Sequence, residues 1–209
     1  LRGKPVAVLP VMAETTCCIA ASYQAKAFGV KTGTIVRDAR KLCPDIVFVE
    51  ARPQVYVEFH HRLIEIVESC THVEEVLSID EMVCMLTGTQ QKRENALALA
   101  AHIKHAIAEK IGKEIRCSIG IAPNTFLAKV ASNMQKPDGC VVIEISDLPE
   151  KLYALKLRDL NGIGRRMEER LIRNRITTIP ELYSCNRQQL RAAWGSIEGE
   201  RMYDKLRGI

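Results

Sequence analysis

Apolar and polar positions follow one another along this chain in two rhythms. KPVAVLP is a short apolar run closed by Pro10, the pattern of a buried strand. IAASYQAKAFG predicts a helix that stops at Gly29, and TIVRDARKLCP a second one ended by Pro44. DIVFVEA predicts a strand. From Pro53 to Cys70, residues Tyr56, Phe59, Leu63, Ile66, Val67 and Cys70 recur at helical spacing. HVEEVLSIDEMVCMLTG predicts two strands. Residues 91–111 predict a long helix with Leu99, Ile103 and Ile107 on one stripe and Gly112 as its stop. IRCSIGI alternates with period two, as a half-buried strand does. Asn124 is a good N-cap for the helix TFLAKVASNM. KPDG then predicts a turn and CVVIEI a strand.

Beyond Glu144 the rhythm changes to short helices, at 148–155, 165–173, 179–183, 186–194 and 197–207. A domain boundary near Ile143–Asp147 is expected, and there is no internal repeat. From Pro53 to Ile143 the order is α-β-β-α-β-α-β, which predicts an α+β sheet with helices on one face.

Composition narrows the class. The 209 residues are 47% hydrophobic and 26% charged, enough apolar material for a sizeable core and too much for global disorder. A net charge of +5 fits a polyanionic partner without demanding one. The eight cysteines include no C-x-x-C pair, which argues against structural zinc and for free thiols in a reducing compartment. No apolar run approaches the ~20 residues of a membrane span. Pro10 and Glu14 cut the apolar start too short for a signal peptide. Because the chain does not begin with Met, it is expected to be a fragment.

One stretch breaks the apolar pattern. LSIDEMVCML sets Asp80 beside Glu81, and an unpartnered buried carboxylate is costly. In a single strand the two side chains would point apart. A hairpin with Asp80-Glu81 at its apex would let both project from one end of the sheet. Taken alone, that is a solvated turn as readily as a site. Paired carboxylates also suit a divalent metal, since magnesium takes one or two of them and leaves room for substrate phosphates. His60-His61 reads as a helix-surface pair, because neighbours on a helix diverge by about 100°. In NGIGRR, Gly162 and Gly164 allow close approach of a phosphate to the next helix start. Residues 161–175 carry Arg165, Arg166, Arg170, Arg173 and Arg175, suited to a sequence-independent grip on a phosphate backbone.

SIDE, followed about 40 residues on by SIGIAPNTFLAKVASNMQKPDG, resembles the palm of a Y-family translesion DNA polymerase. RGKPVAV and AASYQAKAFGVKTG resemble its fingers, and LRDLNGIGRRMEERLIRNRI its thumb, with a helix-hairpin-helix element. The likeness covers essentially all of the chain. It implies an α+β fold: a ferredoxin-like palm (52–145), a small fingers region (1–51) and an all-helical helix-hairpin-helix thumb (146–209). It implies template-directed nucleotidyl transfer from a deoxynucleoside triphosphate (dNTP) to a primer 3′ hydroxyl, with two Mg2+ ions. By resemblance, Asp80 bridges both ions and Glu81 helps hold the one that activates the hydroxyl. Tyr23, Lys26 and Lys136 match residues that contact the triphosphate, with Lys26 standing where many members have arginine. Thr125 replaces a lysine of the family's N-K-x-x-A-K run, and Lys129 is retained. Gly162, Gly164, Arg165 and Arg166 match the thumb's DNA contacts. The implied partners are primer-template DNA, dNTP and, through a C-terminal region absent here, a sliding clamp. The implied place is cytoplasmic and nucleoid-associated, with no membrane.

The family's palm begins with a strand bearing a further aspartate, upstream of R-G-K-P, and ends with a little-finger domain. Neither lies in this sequence, so the fragment is expected to be inactive or impaired. Two rival readings stand beside the enzyme: a non-catalytic DNA-binding scaffold, and a nucleotide-cyclase-like palm. Retention of Asp80 and Glu81 speaks against the first. The Tyr23 region and the Gly-Ile-Gly element speak against the second.

Overall fold

Three short strands near the start of the chain pair into one small sheet. The computed structural model describes residues 1–209, and these strands belong to the first of its two units, Leu1–His61. β1 (Val6–Leu9) lies between β2 (Ala20–Ala21), antiparallel to it, and β3 (Val47–Glu50), parallel to it. Between β2 and β3 run α1 (Tyr23–Ala27) and α2 (Val36–Leu42). Ala7, Leu9, Ala25, Val30, Val36 and Ala39 form the core of this unit. The expected helix over 19–29 is therefore shorter at its start. Ser22 ends it: its hydroxyl accepts from the N–H of Ala25 at 3.2 Å and from that of Val6 at 3.0 Å. A serine that caps the helix and ties it to β1 stabilises the break, and the alanines before it pair with the strand instead.

α3 (Pro53–Glu68) runs across the division into the second unit, Arg62–Ile209. Only its Ile66 and Val67 are buried; Tyr56, at the start of the predicted stripe, is exposed. β4 (Val73–Ser78) and β5 (Glu81–Cys84) form an antiparallel hairpin, followed by α4 (Arg93–Lys110). Ile66, Val67, Val73, Ile103, Ala106 and Ile107 share one core. β6 (Ile119–Ile121), α5 (Thr125–Met134) and β7 (Cys140–Val142) then make a parallel β-α-β unit.

The α+β class matches expectation, as does the element order from Pro53 to Ile143, but the single sheet does not form. β4–β5 and β6–β7 are two separate two-stranded ladders. Strand β6 covers only the end of IRCSIGI. Beyond β7, the helix expected at 148–155 is instead a series of tight 3₁₀ turns at Ile145–Asp147, Glu150–Leu152 and Leu157–Asp159. Asp147 accepts from the N–H of Glu144 at 2.9 Å, and Asp159 from that of Lys156 at 2.8 Å. Short acidic residues that bond backward to the backbone favour such turns over continuous helix.

Four helices complete the chain: α6 (Arg165–Arg173), α7 (Ile179–Ser184), α8 (Arg187–Trp194) and α9 (Glu198–Leu206). Their Leu171, Leu182, Leu190 and Leu206 are buried with Leu127, Val130 and Ala131 of α5. One core thus runs through the boundary drawn near residues 143–147. The two compact units meet along the chain between His61 and Arg62, within α3.

Candidate active site

The acidic hairpin turns one residue earlier than the sequence suggests. Ser78 pairs with Glu81, leaving Ile79 and Asp80 as its two-residue tip. Asp80 thus sits on the turn, and Glu81 opens β5. The ladder between the strands carries two irregularities, at Val73/Glu75 and Val76/Ser78. Bulges of this kind increase local twist and re-aim side chains. Asp80 is exposed and Glu81 half-buried.

Each carboxylate has a partner, and neither pairing was read from the sequence, although Lys129 is the retained lysine of the N-K-x-x-A-K run. The Ser78 hydroxyl donates to Asp80 Oδ1 at 2.8 Å. Lys129 Nζ donates to Glu81 Oε1 from α5, 48 residues away. The serine two residues before the aspartate is a local signal that reading could have found. The lysine is not, because nothing in the chain between them marks the pairing.

Lys129 stands on a firmly held helix. The Asn124 side chain accepts from the N–H of Leu127 at 2.9 Å, and its amide donates to the carbonyls of Lys205 at 3.0 Å and Ile209 at 3.3 Å. Gly120 on β6 lets strand and helix touch. A Cβ at that position would lie 1.9 Å from the carbonyl oxygen of Ala128.

Lys136 follows the end of α5 by two residues and is exposed on its loop. The loop is pinned by Lys104, whose ammonium lies 2.8 Å from Asp138 Oδ1, and by Ser118, which donates to the Gln135 carbonyl at 3.3 Å. Cys84, at the end of β5, has its thiol pushed up by burial and, secondarily, by Cys70. Burial likewise raises Cys117 and Cys140. These thiols are protonated, apolar neighbours rather than nucleophiles.

In the first unit, Tyr23 opens α1 and is 48% exposed. Lys26, one turn on, places its ammonium 4.6 Å from the centre of the Tyr23 ring. The predicted pair is therefore a contact pair, joined by a cation–π interaction. His60 and His61 face each other at 5.5 Å with tilted rings.

On the last helices, Gly162 adopts φ +88°, a left-handed conformation that suits glycine, and Gly164 is the N-cap of α6. No side chain caps that helix start, and Arg165 and Arg166 are exposed beside it. Of the five arginines, Arg170 turns away to donate to the Trp194 carbonyl at 2.6 Å, and Arg165 lies 3.9 Å from Glu169.

No group of three or more His, Cys, Asp or Glu side chains gathers anywhere as a metal cage. Asp80 and Glu81 supply two hard oxygen donors side by side, which fits a magnesium ion whose remaining ligands are water and phosphate. No helix is long and apolar enough to cross a membrane.

Three kinds of likeness bear on these features. Residues 1–133 match the family described as IMS, the impB/mucB/samB family. The chain is 40% identical over its full length to DNA polymerase IV of Moorella thermoacetica, of which it covers 52%. It is 36% identical to DNA polymerase IV of Xanthomonas euvesicatoria pv. vesicatoria, covering 57%. The chain thus spans about half the length of the curated relatives it matches. Among solved structures, DinB from Sulfolobus solfataricus superposes with a TM-score of 0.85 at 29% identity, over 98% of this chain and 60% of that one. An insertion ternary complex of Dbh DNA polymerase does so with the same TM-score and coverage.

Proposed function

This chain belongs to the IMS (impB/mucB/samB) family of Y-family DNA polymerases, and on that premise we propose that it carries the nucleotidyl-transfer machinery of a translesion DNA polymerase. The observation that supports this best is the acidic hairpin tip. Asp80 and Glu81 stand adjacent at the end of a ladder, each oriented by a hydrogen bond.

In the proposed reaction a primer 3′ hydroxyl attacks the α-phosphate of a dNTP, and pyrophosphate leaves. Asp80 and Glu81 would hold the divalent ions, Mg2+ by the hardness of the oxygen donors. Bound there, such ions neutralise charge that develops on the phosphate oxygens and ease loss of the hydroxyl proton. The Ser78 hydroxyl holds one oxygen of the exposed Asp80 carboxylate in place. Tyr23 and Lys26 present a ring and a cation to the triphosphate, and Lys136 presents a second cation. Lysine at position 26 acts as a point charge and lacks the two-pronged grip of arginine. The open N–H groups at Gly164 and the start of α6, with Arg165 and Arg166, would hold the DNA backbone without reading its sequence. In this reading residues 1–51, 52–145 and 146–209 act as fingers, palm and thumb. The protein would act at the nucleoid and meet a sliding clamp.

The test is primer extension by the full-length parent protein on a primed template with dNTPs and Mg2+, wild type against Asp80→Ala. Removing one preorganised charge from such a centre is expected to slow extension by about 10²- to 10³-fold or more. Extension that continues unchanged in the variant would remove Asp80 from the mechanism. DNA binding by a wild type that never extends a primer would point instead to a scaffold.

A further inference from the structure

We propose that Lys129 is a positioning residue for Glu81, a tethered cation that holds the carboxylate until a divalent ion takes its place. The proposal rests on the reading of Asp80 and Glu81 as a metal site and adds a competitor built into the chain.

The two acids are held by unlike partners. Asp80 accepts from a neutral hydroxyl, that of Ser78, at 2.8 Å. Glu81 accepts from an ammonium. Lys129 and Glu81 side chains are 26% and 39% exposed, so the pair is partly withdrawn from water but open to ions. With the ammonium in place, the adjacent carboxylates carry one net negative charge rather than two. That relieves like-charge repulsion at a tip where Asp80 and Glu81 are chain neighbours.

Geometry says how the ammonium lets go. α5 cannot slide away: Leu127, Val130 and Ala131 are buried, and β6 presses against it at Gly120. Release must therefore come from rotation of the lysine side chain. Lysine suits that motion, since its ammonium is a compact charge on a flexible stem. An arginine would grip both carboxylate oxygens and yield less readily.

The consequence is linkage. A bond made only in the ion-free state lowers the apparent affinity for the ion. An ammonium left close by would also repel a divalent ion that arrived. Removing it should therefore tighten metal binding while it loosens the ion-free protein. A lysine with a merely structural role gives the opposite: weaker or unchanged metal binding alongside lower stability.

The experiment counts bound Mn2+ by the loss of the free-ion paramagnetic resonance signal, without DNA or dNTP. Wild type, Lys129→Met, Lys129→Arg, Asp80→Asn and Glu81→Gln are compared. Lys129→Met, which keeps the stem, is expected to bind Mn2+ about two- to fivefold more tightly, the range spanned by partly exposed ion pairs. Its ion-free form should melt at a lower temperature. Lys129→Arg retains a cation and should bind no more tightly than wild type. If binding depends on Asp80 and Glu81 but Lys129→Met leaves it unchanged or weaker, the proposal fails and the metal site stands. A tighter Lys129→Arg would overturn it as well, and that variant serves should Lys129→Met not fold. Binding indifferent to both Asp80→Asn and Glu81→Gln would overturn the metal-site reading, and the proposal with it.

Discussion

Gly120 carries more of the site than its size suggests. An added Cβ would meet the Ala128 carbonyl oxygen at 1.9 Å and the Ser132 nitrogen at 2.5 Å. Both are backbone atoms of α5, so no side chain can swing aside. Gly120→Ala is expected to destabilise the chain by about 3 kcal/mol, the upper end of overpacking costs, and to move Lys129 with the helix. Urea unfolding checks the first effect, and a stability within error of wild type would show that strand and helix can part. The alternation in IRCSIGI was legible in the sequence. The role of its glycine was not, because a glycine in a strand pattern looks the same whether it meets solvent or another backbone.

At the scale of elements, the start of α5 was legible in the sequence. Asn124 caps α5 as its position promised, since the asparagine-to-N–H bond is local. α7 begins with a reciprocal cap between Thr178 and Glu181. The Glu181 carboxylate accepts from the N–H of Thr177 at 2.6 Å, from its hydroxyl at 2.8 Å and from the N–H of Thr178 at 3.1 Å. These bonds, the Thr177 N–H first among them, hold its carboxyl below the usual carboxylate range. Asp147 is lowered in the same direction, by the Glu144 N–H and then by Lys151. The unfolded chain loses those bonds and binds its protons at higher pH. Stability from both groups is therefore complete above the usual carboxylate range and is lost as pH falls through the depressed values. The melting temperature should drop on acidification, and Glu181→Gln should make that drop shallower. An equal slope in the variant would show that other groups set the acid response.

For the molecule as a whole, the joint core of α5 and the last helices is the organising fact. Leu127 is fully buried there, and Trp194 packs against the same cluster. Leu127→Ala is expected to cost about 2–5 kcal/mol and to lower the midpoint of the Trp194 fluorescence transition together with that of the helical circular dichroism signal. A tryptophan transition left in place would mean that the last helices unfold on their own. Composition and periodicity signalled a change at residue 144. They could not reveal that apolar faces on either side of it meet, because a periodic stripe shows which face is buried and never against what.

The sequence by itself determined the order of elements from Pro53 to Ile143, the capped start of α5, the acidic hairpin and, through the likeness of several motifs in order, the family. These depend on residues a few positions apart, where backbone geometry links pattern to shape. Only the tertiary structure decided that the strands after α3 form two ladders rather than one sheet and that one core joins α5 to the chain's last helices. It also decided that Lys129 closes on Glu81 across 48 residues. Such contacts are set by where packed elements come to rest, and no local pattern carries that distance.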